Sequence, residues 1–152
     1  MIKIINKNPL YFAFLLPAII DGFLTLFGQS SQYWSANRIV NEASPVYYFL
    51  LHSPWLFVLG SFFWFAFWYW IFKRLKEPFN LFIMFLFISG HSWGSSSWIW
   101  NIMKRNQFYN PSDQFSVILA WFIVVLYFGV IALTATYCLR NYFQNKKNPS
   151  AN

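Results

Sequence analysis

The chain has 152 residues, of which 58% are hydrophobic, 25% aromatic and only 10% charged. Because soluble domains carry about 25% charged residues, this composition excludes an ordinary soluble domain and indicates a protein of the lipid bilayer. The net charge of +7 comes from short basic clusters between apolar runs, which favours lipid head groups as partners over nucleic acid.

Four apolar runs follow one another along the chain, each near the roughly 20 residues that cross about 30 Å of hydrocarbon. They cover about residues 9–28, 45–72, 79–102 and 115–139. Ser44 and Pro45 predict the start of the second helix, as an N-cap and a first-turn proline. Asn110 to Asp113 predict a turn into the fourth helix. The sequence therefore predicts an all-α, polytopic membrane protein, with a single domain over residues 1–152 and a bundle of four transmembrane helices.

Lysine and arginine set the expected orientation. The two chain ends and the connection between the second and third runs hold eight of these residues, and the other two connections hold three. The positive-inside rule then places both termini in the cytoplasm, in a multi-pass protein of the inner (plasma) membrane. An even number of spans likewise puts the two termini on the same side of the membrane. The alternative is a first run cleaved as a signal peptide near Gly28 and Ser30, against which Asp21 and the length of the run argue.

Two ionisable residues lie at equal depth inside predicted spans. Asp21 and His91 each lie about 18 Å above the cytoplasmic start of their helix, at a rise of 1.5 Å per residue. A carboxylate in the middle of the bilayer costs about 2.5–3.5 kcal/mol, so Asp21 should face the bundle interior with a partner or stay protonated. Together the two side chains can share a proton. In the simpler interpretation, Asp21 is a hydrogen-bonded acid that fixes the register of its helix.

Two further residues complete the candidate catalytic set. Glu42 precedes the second predicted helix, and His52 lies near its outer end, so both can open with Asp21 and His91 toward an extracytoplasmic cavity. Asp21, His52 and His91 are also candidate zinc ligands. The two histidines differ in depth by about 12 Å, which argues against a haem held between them. The sequence contains no HExxH helix, phosphate-binding loop or nucleophile elbow, and we predict no cofactor.

Small residues interrupt the third run in the stretch FISGHSWGSSSW, residues 87–98. Gly90, Gly94 and Ser97 recur at spacings of four and three, which predicts a face on which another helix packs closely. His91 lies about 100° away around the helix, on the same face as Ser95. Helix packing thus explains the glycines and leaves His91 as a candidate site residue.

Two short motifs resemble a small uncharacterised family of bacterial four-span membrane proteins. They are Asp21-x-x-x-Thr25 in the first span and Glu42-Ala-Ser44-Pro45 at the start of the second. The match covers about the first third of the chain, and the family has Asn before the proline where this chain has Ser44. The resemblance implies the four-span fold and the membrane location, and it implies no activity.

Three functions fit these observations. The first is an accessory or structural membrane component without enzymatic activity, which associates with other membrane proteins or with copies of itself. The aromatic excess and the lack of a catalytic signature favour it. The second is a small proton-coupled transporter that uses Asp21 and His91. The third is a membrane enzyme that hydrolyses a lipid near the outer leaflet by acid–base or metal chemistry.

Overall fold

The structure, a computed structural model, describes residues 2–35 and 38–147, with side chains from Ile5 onward. The side chain of Lys3 and the two ends of the predicted 1–152 domain lie outside the described residues. Within them the fold is all helical, without a strand, as predicted. The helices are α1 (Ile2–Lys7), α2 (Pro9–Phe27), α3 (Ser31–Trp34), α4 (Pro45–Leu50), α5 (Pro54–Phe72), α6 (Phe79–Arg105) and α7 (Gln114–Lys147).

Three of the helices, α2, α5 and α7, are long and apolar enough to cross a membrane. Helix α6 has 27 residues and is therefore about 40 Å long, which is enough to span hydrocarbon. Its serines, its glycines and His91 make it less apolar than the other three helices, so that hydropathy alone does not select it. Some of the polar residues that weaken this signal, His91 among them, belong to the candidate site.

The second predicted span is divided in two in the structure. Helix α4 ends at Leu50, and α5 begins at Pro54, after Ser53 in an extended conformation with φ −138° and ψ 129°. Proline has no N–H to donate to the Leu50 carbonyl, and its ring favours the extended geometry that Ser53 adopts, so the helix is broken at this point. The start of α4 follows the prediction, because the Ser44 side chain accepts a hydrogen bond from the Tyr47 N–H.

Helices α2 and α6 run in parallel and form the centre of the bundle. Early in both helices, the rings of Phe14 and Phe87 lie 5.1 Å apart. At the other end, Gly28 packs against the Trp98 ring, which a methyl group in place of the glycine hydrogen would approach to 2.5 Å. Gly28 therefore allows this close approach at the end of α2.

Helices α5 and α7 run antiparallel to this central pair. Asn8 at the start of α2 donates a hydrogen bond of 3.0 Å to the carbonyl of Tyr69 near the end of α5. Asn80 at the start of α6 donates one of 3.0 Å to the Tyr142 hydroxyl near the end of α7. The chain thus passes up, down, up and down through its four long helices.

The main apolar core fills the half of the bundle where α2 and α6 begin. Helix α2 supplies most of it, because it lies between the other three long helices. Around it, α5 and α7 expose large apolar side chains such as Phe63, 77% exposed, and Leu133, 74% exposed. An apolar surface of this extent requires a cover of lipid or protein. The core consists of Leu10, Tyr11, Ala13, Phe14, Ala18, Phe72, Met84 and Cys138.

Candidate functional site

Asp21 of α2 and His91 of α6 form a hydrogen-bonded pair. The Nδ1 atom of His91 lies 2.8 Å from Oδ2 of Asp21, and the two side chains are 14% and 8% exposed, respectively. Because α2 and α6 run in parallel from the same end of the bundle, equal distances along the two helices bring these residues to one level. The sequence predicted equal depths from this arithmetic, and the structure brings the two side chains together.

Gly94 provides the space for the aspartate. A methyl group at this position would lie 2.5 Å from Oδ1 and 3.1 Å from Cγ of Asp21. Real side chains do not approach so closely, so any larger residue would displace the carboxyl group. Gly94 lies three residues after His91 and hence on a neighbouring part of the same helix surface. The glycine and the histidine together define where the carboxylate lies.

Aromatic side chains surround the histidine on its core side. The Trp64 ring of α5 lies edge-on to the imidazole at 5.3 Å, and the Phe87 ring lies at 6.1 Å. Trp64 and Phe87 in turn contact Phe14 in the apolar core, at 5.9 Å and 5.1 Å. The pair therefore rests on an aromatic layer that separates it from the half of the bundle where α2 and α6 begin.

On its other side, the pair opens into a cavity of about 570 Å³ between α2, α4, α5 and α6. Glu42 enters the cavity wall from the segment before α4, and Tyr47 enters it from α4 itself. The Oε1 atom of Glu42 accepts a hydrogen bond of 2.8 Å from the Ser44 N–H.

Gln29 fixes the segment that carries Glu42. Its side chain is 2% exposed, and it exchanges two hydrogen bonds with the backbone of Asn41, at 2.9 Å and 3.2 Å. It also donates to the carbonyl of Thr25 at 3.0 Å. Nearby, Arg105 donates to the carbonyls of Gly28 and Gln29 at the end of α2, where a cation is favoured by the helix dipole. These contacts hold the rim of the cavity against α2.

Buried hydroxyl groups extend the polar region from Asp21 toward α7. Thr25 is 1% exposed, and its Oγ1 atom has no hydrogen-bond partner among the described residues. The hydroxyls of Ser92 and of Tyr127 in α7 are also buried without a hydrogen-bond partner among the described residues, and Ser95 Oγ donates to the His91 carbonyl at 2.6 Å. Two of the five serines in the 87–98 stretch of α6, Ser92 and Ser95, thus place buried hydroxyls between the helices.

The chemistry of the pair depends on which imidazole nitrogen carries a hydrogen. An ionised Asp21 only accepts hydrogen bonds, so the neutral His91 has to carry its hydrogen on Nδ1 and donate it. The Nε2 atom is then the free basic atom of the ring. A carboxylate that orients a histidine in this manner also stabilises the imidazolium formed when Nε2 takes up a proton. The arrangement can therefore accept and return a proton.

The other candidate residues lie in different surroundings. His52 lies at the break between α4 and α5, exposed, with Nδ1 facing the carbonyls of Tyr48 and Phe49 at 3.0 Å and 3.2 Å. The break at Pro54 is the reason, because it turns His52 out of the predicted span. The zinc set of Asp21, His52 and His91 is therefore not assembled, and no group of three such ligands occurs within residues 2–35 and 38–147.

The predicted packing face also takes another form in the structure. Gly90, Gly94 and Ser97 all line the cavity, and a methyl group at Gly90 would meet nothing within 4 Å. Close approach occurs only at Gly94, and the group that approaches is a side chain of α2. The small residues thus leave space for the cavity and for Asp21. The helix-to-helix contact that the spacing predicts is not formed at Gly90.

Several residues of the site were missing from the sequence-based set. Tyr47 and Trp64 looked like ordinary members of an aromatic-rich span, and Gln29 and Arg105 looked like residues of polar connections. Ser53-Pro54 could have predicted a helix break, which makes α4 a separate helix. A separate α4 can turn toward α2 and bring Tyr47 to the site. The chain matches no known family, and no significant match to a functionally described protein or to a solved structure was found.

Proposed function

We propose that this chain is a four-span protein of the cytoplasmic membrane in which the Asp21–His91 pair acts as a proton acceptor toward a ligand in the adjacent cavity. The observation that carries this proposal is the 2.8 Å contact of His91 Nδ1 with Asp21 Oδ2 in the cavity wall. A histidine that lines a cavity, with one ring nitrogen held by a carboxylate, has the arrangement of a general base.

The proposed topology puts the cavity on the extracytoplasmic side. This proposal counts helix α6 as a span beside α2, α5 and α7, because its 27 residues exceed the roughly 20 that are needed. The side chains of His91, Ser92 and Ser95, and Asp21 opposite them, lie inside the bundle rather than toward lipid. With the termini inside, the ends of α2 and α6 near Gly28 and Trp98 reach the outer leaflet.

Reporter fusions after Lys76 and Asn145 should be cytoplasmic, and a fusion at Asn110 should be outside.

The surroundings of the pair support a general base that acts from one side of the membrane better than they support a proton-coupled transporter. The aromatic layer of Phe14, Trp64 and Phe87 and the core beneath it offer few polar groups along which a proton or ligand could continue, since Tyr11 carries the one hydroxyl among the buried core residues. A transporter with Asp21 and His91 on its path would need such groups on both sides of the pair. Acid–base chemistry on a ligand that enters from the outer half of the bilayer needs only the cavity.

An accessory or structural role is the second candidate function. The apolar surface of α5 supports it, because only 11% of the most apolar stretch of that helix is buried within the chain. Lipid alone can cover this surface, and so can another membrane protein or a second copy.

Complementation of a deletion strain separates the two functions. We expect Asp21→Asn and His91→Gln to insert and fold but fail to complement, since each keeps the size of the side chain and removes the proton acceptor. His52→Gln is the matched control and should complement fully. If Asp21→Asn and His91→Gln complement as well as the wild type does, the proton-acceptor function is excluded and the accessory role is favoured.

A further inference from the structure

The cavity beside the pair is acidic, although the protein as a whole is basic. The chain has four acidic residues against eleven basic ones, and two of the four, Asp21 and Glu42, line this cavity. No lysine or arginine side chain described by the structure lines it. The other two acids have partners elsewhere: Glu77 pairs with Lys146, and Asp113 accepts hydrogen bonds at the start of α7.

Both carboxylates keep an oxygen atom for a further donor. His91 lies against Oδ2 of Asp21, and the Ser44 N–H occupies Oε1 of Glu42. If the Asp21–His91 pair carries a shared proton it is neutral as a whole, and Glu42 still leaves the cavity with a negative charge. A cation that enters the cavity therefore meets acceptor atoms and a favourable potential in either protonation state.

Thr25 supplies an independent sign of a ligand. Its side chain is 1% exposed and lines the cavity, and its hydroxyl has no partner among the described residues. A buried hydroxyl without a hydrogen bond costs about 1–3 kcal/mol of stability. A ligand that hydrogen-bonds to this hydroxyl removes that cost. Aromatic walls from Tyr47, Trp64 and Trp98 add favourable surfaces for a cation.

We propose that the cavity binds a primary ammonium group on a short alkyl chain. Three N–H donors of such a group match three kinds of acceptor in the wall, the carboxylates of Asp21 and Glu42 and the hydroxyl of Thr25. A quaternary ammonium would satisfy the charge but leave these acceptors without donors. The amine can come from a soluble molecule or from the head group of an aminophospholipid. This inference deepens the proposed function by naming the ligand class of the same cavity.

Calorimetric titration of the purified full chain in detergent with n-butylammonium chloride tests the proposal. We expect saturable binding to the wild type, and binding at least about tenfold weaker to Glu42→Gln, because one charge-assisted hydrogen bond is lost. Glu77→Gln is the matched control for net charge and should bind as the wild type does. Thr25→Val should bind more weakly without loss of thermal stability, since it removes a hydroxyl that has no partner in the fold.

Two further ligands sharpen the test. Neutral n-butanol and tetramethylammonium should bind much more weakly than n-butylammonium. Equal binding of either, absence of saturable binding, or equal affinity in Glu42→Gln would overturn the proposal. In nanodiscs, retention of phosphatidylethanolamine over phosphatidylglycerol by the wild type but not by Glu42→Gln would identify a lipid source. Soluble-amine binding without such retention would identify a soluble source.

The outcome is independent of the test of the proton acceptor. If no amine binds while Asp21→Asn and His91→Gln still fail to complement, the ligand class is wrong and the proposed function stands. If the amine binds through Glu42 while those two variants complement fully, the cavity binds amines and the pair is not a functional base.

Discussion

The hydrogen of Gly94 faces the carboxylate of Asp21 so closely that a methyl group in its place would lie 2.5 Å from Oδ1. Gly94→Ala should therefore push Asp21 away from His91 and destabilise the protein by about 1–3 kcal/mol, as overpacking does elsewhere. Thermal unfolding in detergent measures this loss. Gly90→Ala, one turn earlier and open to the cavity, is the matched control and should change little. Equal melting temperatures for the two variants would refute the close contact.

A double-mutant cycle on Asp21 and His91 should show strong coupling. Asp21→Leu alone leaves the Nδ1–H of His91 buried without an acceptor, and His91→Leu alone leaves the Asp21 carboxyl without its partner. The stability losses of the two single variants should add up to more than the loss of the double variant. The difference, which is the coupling energy, should be about 1–3 kcal/mol. Free energies of unfolding for the four proteins measure it. Additive effects within about 0.5 kcal/mol would mean that the pair does not interact.

The Gln29 side chain should control the mobility of the segment that carries Glu42. Gln29→Leu removes three hydrogen bonds in a buried position and leaves the backbone of Asn41 without partners. We expect a loss of about 1–3 kcal/mol and faster hydrogen exchange at Asn41. Gln32→Leu, an exposed change three residues away, is the control and should leave exchange unchanged. Unaltered exchange in Gln29→Leu would show that other contacts hold the segment.

The connection between α5 and α6 should contribute a small acid-sensitive stability. The Lys146 ammonium and, next, the Tyr142 hydroxyl hydrogen-bond the Glu77 carboxylate and lower its pKa below the usual value. A lowered pKa in the folded state means that the contribution is complete above about pH 4.3, the usual pKa of Glu, and is lost as the pH falls through the lowered value. Melting temperatures should fall less steeply in acid for Glu77→Gln. The effect is small because the ion pair is exposed, and identical pH profiles would contradict it.

Regular parts of the fold were predictable from the sequence, and irregular parts were not. Residue counting placed Asp21 and His91 at one level because α2 and the first half of α6 are uninterrupted helices, so that a fixed rise per residue holds. The same counting does not describe His52, because α4 ends at Leu50 and His52 lies in the break before α5 begins at Pro54. Tyr47 and Glu42 reach the cavity only because the segment between α3 and α4 folds back onto Gln29, a contact between distant residues that no periodicity encodes.

The small residues of α6 illustrate a second limit. Glycine spacing of four indicates a surface without side chains, and it does not say whether a helix, a single side chain or a ligand fills the space. In this protein Gly94 makes room for Asp21, and Gly90 leaves the cavity open. The spacing therefore predicted where the site lies, and it attributed the small residues there to helix packing.

Nitrogen NMR of the histidine side chains tests the central claim most directly, because the chain contains only two histidines. In His52→Gln, labelled with ¹⁵N-histidine and studied in lipid bilayers, the remaining signals belong to His91. We expect neutral His91 to carry its hydrogen on Nδ1, held by Asp21, and we expect the added Asp21→Asn change to shift the hydrogen to Nε2 or to mix the two forms. A neutral His91 with its hydrogen on Nε2 in the presence of Asp21, or signals that Asp21→Asn leaves unchanged, would show that Asp21 does not hold the imidazole.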